Sequence, residues 1–259
     1  MPPKPFTPEA FAATTRLLVE STDAGVPLYT SLVPTQVRRL LSSAEATRAL
    51  ESLTAVLVGG ARLTASSVPT TVVETYGATE SSGGCVYAGL PLDGVQVRVS
   101  DNGRIRIAGV TLADGYADGD DDAFIHADGV RWFVTSDLGA LREGRLEVLG
   151  RADDVIITGG HKVHPISVEH ALVGLDGIDE AVVVGVPDPE WGERVVALVV
   201  ARDGMTVPSA KDVRSALAGS LSRFALPREV RAVGRLPVVD SGKIDRGAAR
   251  RLAQSGPQK

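Results

Sequence analysis

The sequence predicts an α/β protein followed by a smaller α+β part, and three observations predict it. In the first third, β-favouring runs alternate with segments of helical composition, the pattern of a sheet with parallel strands. From Gly94 the texture becomes apolar–polar alternation around turn-forming residues. After Gly150 a third pattern mixes strands and helices over about 100 residues, the size of a small domain. The boundary is expected near residues 150–154, giving parts 1–150 and 151–259.

The elements follow in order. Thr7 and Pro8 suit the cap and first position of a helix over 8–20, with Phe11, Leu17 and Leu18 on its apolar side. Residues 28–33, 54–58 and 70–74 are short β-favouring runs, and 35–50 has helical composition. VQVRVSDNGRIRIAG alternates on both sides of Asp101-Asn102-Gly103 and predicts a β-hairpin. Short strands are expected at 132–135 and 145–149, and the acidic ADGDDDA as a solvated loop. In the last part come a strand in DVIIT, a helix at 165–175, strands at 180–186 and 195–201, a helix at 209–223 and a strand near 229–233.

Composition narrows the function. A chain of 259 residues, 44% hydrophobic, can fill sizeable cores. A net charge of −5 and a pI near 5.4 argue against a general nucleic-acid or anionic-membrane binder, so the expected partner is a small molecule. The single cysteine, Cys85, cannot form an internal disulfide and reads as a small buried residue. MPPKPFTPEAF has no apolar core of signal-peptide length, and the longest apolar run, around 181–186, is far short of the roughly 20 residues that span a bilayer. The expected compartment is cytoplasmic. His161, His164 and His170 lack metal-site patterning and read as turn and helix-start residues.

Four separated clusters carry candidate chemistry. Tyr76-Gly77-Ala78-Thr79-Glu80 follows the strand TTVVE, so it is expected at a strand's carboxyl end, where open α/β sheets bind ligands. Thr79 offers a hydroxyl and an N–H to phosphate, Glu80 a hard oxygen to Mg²⁺ and Tyr76 a flat face to a base; the alternative is an ordinary turn. Asp137, after the WFVTS strand, can accept both hydroxyls of a ribose or close an Asx turn. In GRADDVIITGG, Arg151 can reach a nucleotide, Asp153 can absorb a hinge rotation, and Gly159 and Gly160 allow close backbone approach; the alternative is a linker and tight turn. In PVVDSGK, Lys243 on a glycine turn can bring a point charge to a carboxylate and a phosphate, or lie on the surface.

In order and spacing, YGATE, WFVTSDLG, GRADDVIITGGHKV and PVVDSGK resemble the late motifs of the adenylate-forming superfamily of acyl-CoA synthetases, luciferases and peptide-synthetase adenylation domains. WGERVVALVV is similar to that family's C-terminal domain, and the resemblance covers residues 28–250. It implies a large α/β domain, here truncated, with a smaller C-terminal α+β domain. It also implies two half-reactions: ATP and a carboxylic acid give an acyl-adenylate and pyrophosphate, then a thiol, usually of coenzyme A, displaces AMP. By motif position, Tyr76 and Gly77 adjoin the nucleotide, Thr79 binds phosphate, Glu80 Mg²⁺, Asp137 and Arg151 the ribose, and Lys243 the reacting carboxylate and α-phosphate. Asp153 is the implied hinge, about which the small domain rotates to withdraw Lys243 and present the Gly159-Gly160 loop to the pantetheine thiol.

Within the superfamily, Tyr29-Thr30-Ser31-Leu32-Val33-Pro34-Thr35-Gln36, Ser82-Gly83-Gly84-Cys85-Val86-Tyr87 and Gly94-Val95 are most similar to the o-succinylbenzoate–CoA ligase branch of menaquinone biosynthesis. The implied acid pocket is lined by Tyr29, Gly59, Gly60, Ala61, Ser81, Ser82, Gly83 and Gly84, and the resemblance allows a homodimer. Family members also carry, in an N-terminal region, a Ser/Thr/Gly-rich phosphate loop ending in Pro-Lys-Gly. No such stretch occurs here, so the chain is expected to be a member without that first part, with an exposed sheet edge or apolar face. Neither G-x-x-x-x-G-K-[ST] nor G-x-G-x-x-G before a helix replaces it. Three functional classes follow: an acid–CoA ligase, a non-catalytic nucleotide or acyl-adenylate binding protein, and an adenylation module that loads a carrier protein.

Overall fold

The structure is a computed structural model that describes residues 6–60, 63, 68–119, 121–239 and 243–255. Ala61 and the stretch Asp240-Ser241-Gly242, expected as a glycine turn before Lys243, lie outside the described residues. The chain forms two compact units, one from Met1–Val97, Ile107–Phe133 and Glu143–Leu146, the other from Arg98–Arg106, Val134–Arg142 and Glu147–Lys259.

The first unit opens with α1 (Pro8–Ser21), where Thr7 Oγ1 accepts a hydrogen bond from Ala10 N at 3.2 Å. Its buried residues are Ala12 and Thr15, with Phe11 packed beside them, and not the expected Leu17 and Leu18, of which Leu17 is 66% exposed. The small side chains bring α1 against a shorter helix, α3 (Ala44–Glu51). Arg16 pairs at 3.6 Å with Glu45 near the start of α3, so the turn carrying Leu17 and Leu18 runs past its partner.

Next come β1 (Tyr29–Leu32), α2 (Pro34–Leu41), α3 (Ala44–Glu51), β2 (Ala55–Val58) and β3 (Val72–Ala78). The single helical stretch expected at 35–50 is two helices, because Ser43 breaks it and caps the second: its Oγ accepts from Ala46 N. Strands β1, β2 and β3 are parallel, as the alternation predicts, and β4 (Gly83–Tyr87) and β5 (Leu90–Pro91) extend the sheet antiparallel. Val37, Leu40, Ala46, Leu50, Val56 and Val58 form a fully buried core between sheet and helices.

A second sheet has β6 (Val95–Val99), β7 (Arg104–Gly109), β8 (Phe124–Ala127), β9 (Val130–Arg142) and β10 (Arg145–Arg151), in the order β10-β9-β7-β6 with β8 beside β9. Strand β9 does not end at Thr135 as expected but runs on through Asp137 and Gly139. Gly139 is a point of close approach within the strand: a Cβ there would stand 2.8 Å from Ile105 Cγ1.

The rest of the second unit contains β11 (Ile156–Thr158), β12 (His161–Val163), α4 (Pro165–Val173), β13 (Ile178–Asp188), β14 (Gly192–Ala201), α5 (Ala210–Leu217), β15 (Glu229–Ala232) and α6 (Arg246–Gln254). The sheet order is β12-β11-β14-β13, with β15 parallel to β14. Along β13 and β14 successive residues alternate between two cores. Val183, Val195, Ala197 and Val199 meet α4 and α5, whereas Val182, Val184, Val196 and Leu198 meet α6 through Ala249 and Ala253. Both faces are covered, so the strands read as unbroken apolar runs. Helix α5 stops at Leu217, short of the expected 223, where Gly219 and Ser220 favour a turn and Leu217 O accepts from both Ser220 N and Leu221 N. Among the described residues no helix is long and apolar enough to cross a membrane.

Candidate functional site

In the first unit, β3 carries Tyr76, Gly77 and Ala78 as strand residues, and a 3₁₀ turn at Thr79–Ser81 leads into β4. The cluster therefore forms a strand end and a tight reversal. Glycine at 77 permits it, since a Cβ there would lie 1.8 Å from Gly83 O. Ser81, almost fully buried, is spent on the turn itself: its Oγ accepts from Ala78 N at 2.9 Å and reaches Ala78 O and Gly83 O at 3.1 Å. Ser82 takes a left-handed conformation, φ 58°, and its Oγ donates to Thr111 O at 2.8 Å.

Thr79 is thereby presented at the start of the turn, exposed, with Glu80 half-buried beside it. Glu80 Oε1 accepts a 2.6 Å hydrogen bond from Tyr116 Oη, and Glu80 O accepts from Ala113 N at 2.8 Å. Arg131 fixes the segment that carries Tyr116 by donating to Ala113 O and Asp114 O at 2.8 and 2.7 Å. One oriented carboxylate with an adjacent hydroxyl fits Mg²⁺, which takes one or two carboxylates and fills its remaining positions with phosphate oxygens and water. Among the described residues no group of three or more His, Cys, Asp or Glu forms an all-protein metal cage.

The segments assigned to the acid pocket divide. Gly59 and Gly60 follow β2 at the carboxyl end of the parallel strands, where Leu32, Val58 and Glu74 align. Gly59 is where a Cβ would meet Thr75 Oγ1 at 2.9 Å. Tyr29 opens β1, opposite Ala55, at the other end of the strand, and is 62% exposed. Cys85 is fully buried on β4, and burial pushes its thiol pKa up, so it is an inert core residue.

In the second unit, Asp137 and Arg151 come together on β9 and β10, with Arg151 Nη1 4.0 Å from Asp137 Oδ1. Thr135 sets the strand around Asp137: its Oγ1 accepts from Asp137 N at 3.1 Å and donates to Ile105 O at 3.0 Å. Arg151 Nη2 also reaches Asp153 Oδ2 at 3.4 Å, so one guanidinium links the two expected ribose residues to the expected hinge.

Gly159 and Gly160, φ 55° and 77°, form the two-residue turn of the β11–β12 hairpin, in which Thr158 pairs with His161. Trp191 packs over this turn, within 2.8 Å of where a Gly159 Cβ would stand, and Gly159 N donates to Trp191 O at 2.9 Å. His161 stacks on Phe224 with ring centroids 3.6 Å apart. Lys243 is exposed on a short antiparallel return in which Val239 N donates to Lys243 O at 2.9 Å and Val238 bridges to Ile244. A cavity of about 180 Å³ in this unit is bordered by Asp153, Asp154, Arg246 and Arg250, too small for a nucleotide by comparison with ligand pockets of roughly 300–1,000 Å³.

Sequence reasoning missed Tyr116, Thr135 and Arg246. Tyr116 directly precedes the acid-rich stretch read as solvated loop, and its partner is 36 residues away. No local pattern announces such a contact.

This arrangement of parallel sheet, β-rich middle and two-faced α+β unit, with the motif residues at strand ends and turns, is that of the adenylate-forming superfamily, and the chain is a member of it. Residues 167–243 match the AMP-binding enzyme C-terminal domain. Among curated relatives it is 45% identical over 241 residues to a probable 2-succinylbenzoate–CoA ligase of Mycobacterium tuberculosis, covering 89% of this chain and 62% of that protein. It is 33% identical over 191 residues to a 2-succinylbenzoate–CoA ligase of Listeria innocua, covering 68% and 39%. The crystal structure of ATP-bound MatB from Rhodopseudomonas palustris superposes with a TM-score of 0.80 at 27% identity, over 96% of this chain and 54% of that one. The chain thus spans 62% or less of the length of each of these proteins.

Proposed function

We propose that the chain acts as an ATP-dependent acid–CoA ligase that forms an acyl-adenylate and then a CoA thioester, with o-succinylbenzoate as the acid, as a cytoplasmic step of menaquinone biosynthesis. The observation that carries the reading is the Asp137–Arg151 pair, set directly before Asp153 in a chain 45% identical to a probable 2-succinylbenzoate–CoA ligase.

In this reading Asp137 accepts hydrogen bonds from the ribose hydroxyls while Arg151 holds the carboxylate in place and adds a donor. Thr79 donates to phosphate. Glu80, oriented by Tyr116, would hold Mg²⁺, which when bound supplies positive charge against the phosphate oxygens. Lys243 brings its ammonium to the carboxylate and α-phosphate, two anions that repel each other until a cation lies between them. Gly59, Gly60 and Ser82 to Gly84 supply backbone groups to the acid, with Ser81 shaping the turn and Tyr29 at the opposite end of β1 from Gly59 and Gly60. The domains divide as 1–150 and 151–259. Rotation at Asp153 then exchanges Lys243 for the Gly159-Gly160 turn, beside which the thiol of coenzyme A enters.

Pyrophosphate release tests this. With ATP, Mg²⁺ and o-succinylbenzoate, release is expected to depend on the acid and to fall about 10²–10³-fold in Lys243→Ala, and coenzyme A is expected to be consumed. ATP binding without turnover on any acid would sink the ligase reading in favour of a nucleotide-binding protein. Adenylate formation that ignores coenzyme A but loads a carrier protein would replace it with an adenylation module.

A further inference from the structure

Two neighbouring acids, Asp153 and Asp154, share one 3₁₀ turn (Ala152–Asp154) and have opposite surroundings. Asp153 is 73% exposed and takes the long contact from Arg151. Asp154 is 28% exposed, with its Oδ2 3.2 Å from Arg246 Nε. Arg246 opens α6 and is held at its other nitrogens too. Its Nη1 donates to Glu169 Oε1 at 2.7 Å and to Val183 O at 3.1 Å, and its Nη2 donates to Glu169 Oε2 at 3.0 Å. Glu169 Oε1 also accepts from Val183 N at 2.8 Å. Burial works against the guanidinium charge, but Glu169, through charge and hydrogen bonds, and then Asp154 outweigh it and raise the Arg246 pKa.

One planar, five-donor group therefore joins α6, α4, β13 and the residue that follows Asp153. Arg151, on the other side of the turn, is tied back to Asp137 on β9. The peptide between Asp153 and Asp154 lies between two arginine-centred clusters. An exposed pair such as Arg151–Asp153 resists backbone rotation little, whereas a partly buried bidentate cluster resists it strongly.

We propose that Arg246 is a positioning residue that sets the pivot. By holding Asp154 onto α4 and β13 it confines rotation to Asp153, so that Asp154, α6 and Lys243, three residues before Arg246, turn as one body. This rests on the hinge reading of Asp153 in the proposed function. Without the clamp, rotation would spread over several residues, and the ammonium of Lys243 would arrive at a range of positions where its charge acts poorly.

Hydrogen exchange on the full chain tests it without requiring turnover. Asp154→Asn leaves the Arg246–Glu169 pair intact. It is expected to raise exchange of the amides at 152–155 about tenfold, while α4, β13 and the melting temperature stay as they were. Arg246→Lys, whose point charge cannot span Asp154 and Glu169 together, is expected to raise exchange at 152–155 and at 243–248. Unchanged exchange at 152–155 in Asp154→Asn overturns the proposal. So does an equal rise throughout α4, β13 and α6 with a lowered melting temperature, which would mark a contact of general stability only. In the ligase assay Asp154→Asn is expected to slow thioester formation more than pyrophosphate release, and equal slowing of both counts against the pivot. Failure of the ligase reading itself shows separately, as absent pyrophosphate release from the unaltered chain, and leaves the exchange result in force.

Discussion

His164 is a residue whose charge state changes with folding. It precedes α4 half-buried, and its Nδ1 has no hydrogen-bond partner among the described residues. Burial, and then the positive charge of Lys162, hold its pKa below the ordinary 6.5. The native imidazole is therefore neutral in a range where the unfolded chain already binds a proton. Its contribution to stability is complete above pH 6.5 and is lost as pH falls towards the lower folded value. His164→Leu is expected to flatten the pH dependence of urea unfolding below pH 6.5, and an unchanged slope would assign the acid loss to other groups. Asp137 and Arg151 stand out in the sequence because each holds a fixed offset within a motif, and the structure sets their charged groups 4.0 Å apart. The tyrosine that orients Glu80 was not, because a contact over 36 residues has no periodic signature.

At the level of elements, the turn from β3 to β4 depends on Gly77. A methyl group there would meet the Gly83 carbonyl at 1.8 Å, and because the obstacle is backbone the strands must separate. Gly77→Ala is expected to destabilise the protein by about 3 kcal/mol, measured by denaturant unfolding. A loss below about 0.5 kcal/mol would show that the turn relaxes freely. The same glycine explains an error of reading. The strands expected to end at 74 and 135 run on through Gly77 and Gly139, where a neighbour comes too close for any side chain. The parallel strands β1 to β3 were legible because each lies in a short β-favouring run between helical or turn residues. Helix α6 was not, since its buried residues Ala249 and Ala253 are too small to give an apolar stripe among arginines.

At the scale of the whole molecule, each unit has cores of its own, so damage is expected to stay local. Glu169→Gln removes the main counter-charge of Arg246, a pair only 13% and 23% exposed, and is expected to cost about 3 kcal/mol. Hydrogen exchange should show the loss in α4, β13 and α6 with β1 to β3 unaffected, and uniform loss would refute separate cores. The two-faced burial of β13 and β14 also bears on how the chain finds its pairing. A slip of one residue would send every valine to the opposite core and still bury it, so hydrophobicity alone does not reject the wrong alignment. Discrimination falls to the tight connection, where Asp188 Oδ1 accepts from Glu190 N and Trp191 N, both at 3.0 Å. That aspartate favours the observed alignment from the tip of the hairpin, together with Gly185, where a slipped valine would meet Glu193 Oε1 at 2.5 Å.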